Sequence, residues 1–271
     1  MKNYDVPALI KNFLASMDPE KYPESYDMLK NAQRNAEEGC EMAVQSLAIL
    51  LFQLDHTETL DKNVAAFLDS YYHDTADEGD ADDACNLGSL YYTGRIGEQN
   101  YKKAMGLYAL AAKNGSEEAA ENLGYCYYYG RDTEVDYEKA FQYFSMGAFR
   151  GRVISLYKVG DMYRNGYFVE KCQSLAYDIY RRCEGLLDDF WMDECGADVY
   201  ARLGDCYADG IGTEKDALIA LEYYQKAEIL FYNRLLEGDF LIRNVYERCI
   251  ERQGELRKEL RREIPEYDWV N

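Results

Sequence analysis

Histidine is nearly absent from this sequence, with two residues, His56 and His73, in 271. Neither belongs to an HExxH or Cys–His motif, so histidine-based catalysis and zinc hydrolysis have no visible machinery. Proline is also scarce, at four residues, and no Pro-, Gly- or Ser-rich linker occurs. Few helix breakers over this length point to an all-helical chain. No CxxC pair is present, which removes the usual zinc-knuckle spacing. The longest apolar stretch, residues 43–54, is interrupted by Gln45, Ser46 and Gln53 and is too short to span a bilayer. The N-terminal segment lacks an uninterrupted apolar core and a cleavage site, so no signal peptide is expected. The eight cysteines are then expected as reduced thiols in a cytoplasm.

Positive charge is in deficit. Fifty Asp and Glu oppose 30 Lys and Arg, for a net charge of −20. Such a surface repels nucleic acid and anionic membrane and favours basic partners or plain solubility. Apolar residues make up 48 % of the chain, enough for a real core and too many for a disordered acidic tail. The 27 tyrosines combine an apolar ring with a polar tip, which suits both helix packing and groove recognition.

From residue 81 the chain repeats itself. Leu87-Gly88, Leu123-Gly124, Val159-Gly160 and Leu203-Gly204 recur at steps of 36, 36 and 44 residues. The same steps relate Tyr91, Tyr127, Tyr163 and Tyr207, and then Gly94, Gly130, Gly166 and Gly210. They also relate Ala104, Ala140, Ala176 and Ala220, and finally Tyr108, Phe144, Tyr180 and Tyr224. Five columns in one register describe a helix–turn–helix unit used four times. A Gly inside the first helix costs about 1 kcal/mol against Ala, so its recurrence implies close approach by a neighbour. The second Gly, at the end of that helix, meets the demand for a left-handed residue. The Ala column opens the second helix at another close approach, and the Tyr/Phe column fills the layer between stacked pairs.

This pattern resembles the Sel1-like repeat, a relative of the tetratricopeptide repeat. The turn is the distinguishing feature: Gly94 to Ala104 spans ten positions, and the period is 36 residues where tetratricopeptide repeats run about 34. The resemblance covers residues 81–232, and a fainter echo of 115–124 at 39–48 extends it into 22–80. It implies an all-α fold, a right-handed α/α superhelix or solenoid of Sel1-like helix pairs, in a bacterial cytoplasm. The expected organisation is a single solenoid domain, 1–271. Within it lie a degenerate helical part (1–80), four repeats (about 81–115, 116–152, 153–196 and 197–232) and charged C-terminal capping helices with a tail (233–271). The third repeat departs most. Residues 167–173 replace the usual acidic turn, Glu184 stands where a small residue is expected, and an eight-residue insertion containing Phe190 and Trp191 falls between Gly185 and Asp198. From Glu247 onward, glutamates every four residues interleaved with arginines predict a solvated helix acting as a polar cap.

No catalytic residue, cofactor or metal ligand is expected. Gly210-Ile-Gly212-Thr lacks the Lys-Ser/Thr of a phosphate loop and joins two helices. The acidic run Asp74, Asp77, Glu78, Asp80, Asp82 and Asp83 lacks the ligand order of an EF-hand and reads as helix capping by Asp80 or Asp82. Cys172, Cys183, Cys195 and Cys206 are spaced 11, 12 and 11 apart. Cys85, Cys126, Cys183 and Cys206 fall near packing columns and read as small buried residues. Cys85 sits in an Ala-Cys-Asn-Leu-Gly context similar to a secreted, disulfide-rich branch of Sel1-like proteins. The mate expected near Ala112 or Lys113 is missing, so the penicillin-binding or lactamase-like role proposed for that branch does not carry over.

In stacked helix pairs the first helices line the concave side. Positions there that the repeat does not use for packing are Asn86, Asn122, Lys158 and Arg202; Ser89, Tyr125, Asp161 and Asp205; and Tyr92, Tyr128 and Arg164, with Tyr129 beside them. Such a mixture suits a peptide-binding groove. The leading expectation is a non-enzymatic adaptor for a protein or peptide, a basic one among the candidates, with no affinity for nucleic acid or membrane. Alternatives are an enzyme or enzyme-regulatory subunit with its site in the concavity, an immunity-type neutraliser of a basic partner, and a structural oligomerisation module built on the C-terminal helix. Trp191 is a second candidate contact.

Overall fold

A computed structural model describes residues 6–16, 19–20, 23–37, 42–53, 62–239 and 242–263. Among these residues helices follow one another with no strand: α1 Val6–Ser16, α2 Pro23–Glu37, α3 Met42–Gln53, α4 Lys62–Asp77, α5 Ala81–Thr93, α6 Tyr101–Lys113 and α7 Glu117–Tyr129. Then come α8 Tyr137–Phe149, α9 Val153–Asn165, α10 Gln173–Glu184, α11 Asp189–Trp191, a π-helical turn Met192–Gly196, α12 Ala197–Asp209, α13 Ala217–Leu236 and α14 Arg243–Glu263. The chain is an all-α solenoid of helix pairs, as the columns predict. His56, the first residues (39–41) of the repeat echo at 39–48, and the tail with Tyr267 and Trp269 lie outside the described residues.

Each repeat is closed by the same device. Gly94, Gly130, Gly166 and Gly210 cap their helices at φ of 77°, 67°, 76° and 72°, a left-handed conformation that glycine adopts without a Cβ penalty. The turn then returns to the first helix. The N–H of Asn100 donates to the Tyr91 carbonyl, Asp136 to Tyr127, Cys172 to Tyr163 and Asp216 to Tyr207, at 2.8–2.9 Å. Asn100, Asp136 and Asp216 go on to cap the second helix through the N–H groups of Lys103, Lys139 and Ile219. Cys172 holds that place in the third repeat and makes no such bond.

The Gly column inside the first helix has a definite neighbour. A Cβ on Gly88, Gly160 or Gly204 would lie 2.7, 2.7 or 2.9 Å from the ring of Tyr108, Tyr180 or Tyr224. Each ring comes from the second helix of the same repeat and is almost fully buried. The close approach is therefore backbone against tyrosine.

The described contacts group into two compact units: Met1–Cys126 with Gly130–Glu134, and Tyr127–Tyr129 with Val135–Asn271. In the first unit, α1 to α6 pack in chain order. Ile10, Leu29, Leu47, Leu51, Phe67, Leu68, Tyr72 and Leu87 share one core, so the degenerate N-terminal helices are continuous with the first clear repeat. Buried Arg95 donates to the Phe52 carbonyl at 2.7 Å and the Leu51 carbonyl at 3.4 Å, satisfying the C-terminal end of α3. Asp80 caps α5 through the N–H groups of Asp82 and Asp83.

In the second unit, the pairs α9–α10 and α12–α13 pack on each other, and α14 packs on α13. The core includes Val153, Tyr180, Val199, Leu203, Tyr224 and Phe231. The solvated character expected for the C-terminal helix needs correction. Cys249, Gln253, Leu256 and Leu260 form a buried stripe, so α14 is a packed cap whose charges occupy its outer side. The insertion becomes α11 and the π-helical turn that runs into α12. Asp188 caps it by accepting from the Trp191 N–H at 3.0 Å.

Candidate protein-binding face

One first-helix position of each repeat faces the Tyr column. Ser89 Oγ and the Tyr108 hydroxyl are 3.1 Å apart. The Tyr180 hydroxyl donates to Asp161 Oδ1 at 2.8 Å, and the Tyr224 hydroxyl donates to Asp205 Oδ1 at 2.6 Å. In the second repeat the ring is Phe144, which has no hydroxyl, and the equivalent first-helix residue is Tyr125 in place of Ser or Asp. Buried hydroxyls need partners, so the two columns vary together.

In the second unit these acids anchor a ladder of charges. Arg202 grips Asp161 with a two-pronged fork, Nε to Oδ1 and Nη2 to Oδ2, both at 2.7 Å. Its Nη1 donates to the Asp198 carbonyl at 2.8 Å, and the guanidinium lies 4.1 Å from the Tyr157 ring centre. Lys158 Nζ is 3.8 Å from Asp161 Oδ2 and 5.5–6.0 Å from the rings of Tyr128, Tyr157 and Tyr129. Arg164 Nη1 donates to Asp205 Oδ2 at 2.9 Å, and Arg248 from α14 approaches the same oxygen at 3.7 Å. Arg252 donates to Asp209 and to the Tyr224 hydroxyl. Adjacent first helices thus clasp each other: Arg202 of the fourth repeat reaches the third, and Arg164 of the third reaches the fourth.

The ladder fixes protonation. Burial works to raise the Asp161 carboxyl, but Arg202, with Lys158 and the Tyr180 hydroxyl, outweighs it and holds the group below the usual carboxylate range. Burial works to lower Arg202, and Asp161 beside it raises the guanidinium well above its ordinary value. Arg164 behaves the same way against Asp205. Burial pushes the Tyr128, Tyr180 and Tyr224 hydroxyls up, with Asp161 or Asp205 adding to the shift.

Lys158, Asp161, Arg164, Arg202 and Asp205, expected as open groove positions, are therefore members of the ladder. Lys158 and Asp205 are buried, and the Arg202 and Asp161 side chains are only 16 % and 13 % exposed. They serve pairing between repeats, a task that no single repeat displays. The tyrosines remain at the surface. Tyr129 is 51 % exposed, and its ring is 5.0 Å from half-buried Tyr128. Tyr128 also meets Tyr137 and Tyr167, which stack on each other at 4.4 Å. In the first unit, half-buried Tyr92 lies 5.0 Å from Tyr101, over which Arg131 sits at 5.3 Å. Asn86, Ser89, Asn122 and Tyr125 are half-buried, and Asn122 Nδ2 is 3.7 Å from Cys85 Sγ. Sequence reasoning missed Tyr101, Tyr137, Tyr167 and Arg248. Tyr101 and Tyr137 were visible as a further column at the 36-residue step.

Elsewhere, exposed His73 is 3.8 Å from Asp69 on α4. Among the described residues no group of His, Cys, Asp and Glu is arranged to hold a metal ion. No helix among them is long and apolar enough to cross a membrane. The described cysteines are free thiols, all buried except Cys172.

The helix pairs and their columns coincide with a known repeat. The Sel1 repeat model matches residues 81–116, 117–148, 153–182 and 197–228. A Sel1 repeat protein from Oxalobacter formigenes is similar in structure, with TM-score 0.61 and 21 % identity over 90 % of this chain and 87 % of that one. So is c5321, a protective antigen of uropathogenic Escherichia coli with an SLR fold, with TM-score 0.57 and 20 % identity over 93 % of this chain and 56 % of that one. At these identities the likeness is one of fold. No curated protein matches the chain. With four matches in step with four helix pairs, the chain over residues 81–228 belongs to the Sel1 repeat family.

Proposed function

We propose that this protein is a non-enzymatic scaffold that binds a protein or peptide through its first-helix face. The observation that carries this reading is the tyrosine group of exposed Tyr129 and half-buried Tyr128, Tyr137 and Tyr167 beside a ladder of paired charges. Tyrosine offers contact area at small entropic cost, and a rigid surround reduces what binding must order. The titratable groups support the same reading. Asp161 is pushed down and Arg164 and Arg202 are pushed up, away from neutral pH, whereas a general acid or base needs a value near the working pH. The −20 charge favours a partner with basic character.

An affinity pull-down from native lysate at two salt concentrations tests this. Specific capture is expected, weakened by Tyr129→Ala at unchanged helicity and untouched by Tyr232→Ala, an exposed tyrosine on α13. Equal capture by both variants would remove the tyrosine group from the reading, and no specific capture by the intact protein would sink it.

A further inference from the structure

The insertion in the third repeat carries a second surface. Its sequence, 186–194, reads Leu-Leu-Asp-Asp-Phe-Trp-Met-Asp-Glu. Trp191 is the anchor: it packs against the core of the second unit, and Arg152 lies 5.3 Å over its ring. Phe190, 5.0 Å from Trp191 and edge-on to it, is 59 % exposed, with Leu186 at 43 %. This exposure is built, since Asp188 caps the short helix and the Met192 N–H donates to the Asp188 carbonyl at 2.8 Å. The helix then enters a π-helical turn, a form rare in proteins and concentrated at functional positions. Along the chain Phe190 is flanked by the exposed acids Asp189, Asp193 and Glu194, none of which is engaged in an ion pair.

We propose that this insertion is a docking site for a basic amphipathic segment of another protein. An apolar side chain of the partner would cover Phe190 and Leu186, and its lysines or arginines would meet Asp189, Asp193 and Glu194. Charge complementarity selects this occupant. A second copy would bring the same three acids and the same −20 charge to the contact, which repels. A nucleic acid or an anionic membrane is disfavoured for the same reason. The site is separate from the tyrosine group and does not rest on it.

The test uses the full chain with Trp269→Phe, which leaves Trp191 as the single tryptophan reporter, since the sequence has two. The probe is a fluorescein-labelled amphipathic peptide of leucine and lysine. A leucine–glutamate peptide of the same pattern serves as the control. The expected result is saturable binding of the lysine peptide with a change in Trp191 emission. Phe190→Ala should weaken binding about tenfold or more, and so should the pair Asp189→Lys and Asp193→Lys, with unaltered thermal melting. Tyr129→Ala should leave binding unchanged, so failure here and failure of the tyrosine face are distinguishable. Binding that persists in Phe190→Ala, that the glutamate peptide reproduces, or that leaves Trp191 emission unchanged would overturn the proposal, as would no binding at all.

Discussion

A Cβ added to Gly204 would sit 2.9 Å from the Tyr224 ring, inside the distance real Cβ contacts keep. Tyr224 is fully buried and its hydroxyl is bound to Asp205, so the ring has no room to retreat. Gly204→Ala should therefore destabilise by about 1–3 kcal/mol, overriding the helix propensity that alanine ordinarily gains. Gly106, in α6, has open space around its missing Cβ. Gly106→Ala should stabilise by about 0.5–1 kcal/mol. Urea unfolding of both variants checks the pair. Equal effects of the same sign would refute the steric reading.

The same pair shows how much of the fold the sequence discloses. The five columns identify the helix pairs, the caps and the buried rings, because each is dictated within one repeat. Gly88, Gly160 and Gly204 announce a close approach; only the fold reveals that a tyrosine ring makes it. Pairings between repeats are less legible. Arg202 meets Asp161 across 41 residues, and no column predicts it, because the two residues occupy different places in the period. Charges that look free on a helical wheel are therefore spoken for. The alternating charges of α14 hid its buried stripe in the same way, since Cys249 and Gln253 are weak hydrophobic signals.

Breaking the Arg202–Asp161 fork should be costly. Arg202→Ala leaves Asp161 shielded from water with its main partner gone, and a loss of about 3–5 kcal/mol is expected. Asp161→Asn, which keeps the Tyr180 contact and removes the charge, should cost less. Acid gives an independent check. The Asp161 carboxyl is held low in the folded protein, so its contribution is fully present above the unfolded value of about 3.9 and is lost as pH falls through the folded value. Asp161→Asn should thus flatten the acid limb of the stability curve. An acid limb identical to that of the parent would show that the fork contributes nothing there.

Cys172 occupies the capping position that Asn100, Asp136 and Asp216 fill in the other repeats. Cys172→Asp should restore the missing cap of α10 and raise the thermal midpoint, while Asp216→Cys should lower it. The thiol itself carries a second readout. The Ser174 hydroxyl, 3.5 Å away, lowers the Cys172 pKa, whereas burial raises Cys126 to about 11 and Cys85, Cys183, Cys206 and Cys249 to about 12. Iodoacetamide at neutral pH should modify Cys172 well before these five, as peptide mass mapping would show. Uniform labelling would contradict the burial pattern.

Arg95 should prove the most sensitive charged residue of the first unit. It is 4 % exposed and lies at the first turn residue after the Gly94 cap, yet it binds the Phe52 and Leu51 carbonyls of α3, 43 and 44 residues away. Those carbonyls carry the negative end of a helix, where a cation is favourable. Arg95→Met retains most of the stem and removes the donors. A loss of about 1.5–3 kcal/mol is expected, the range for hydrogen bonds to charged groups. Hydrogen exchange gives the location. Amides of α3 should exchange faster in Arg95→Met while those of α12 and α13 stay protected, because in a stack of repeats each unit leans mainly on its neighbours. Uniform loss of protection across all helices would mean that the chain unfolds as one cooperative block and that Arg95 acts on the whole of it.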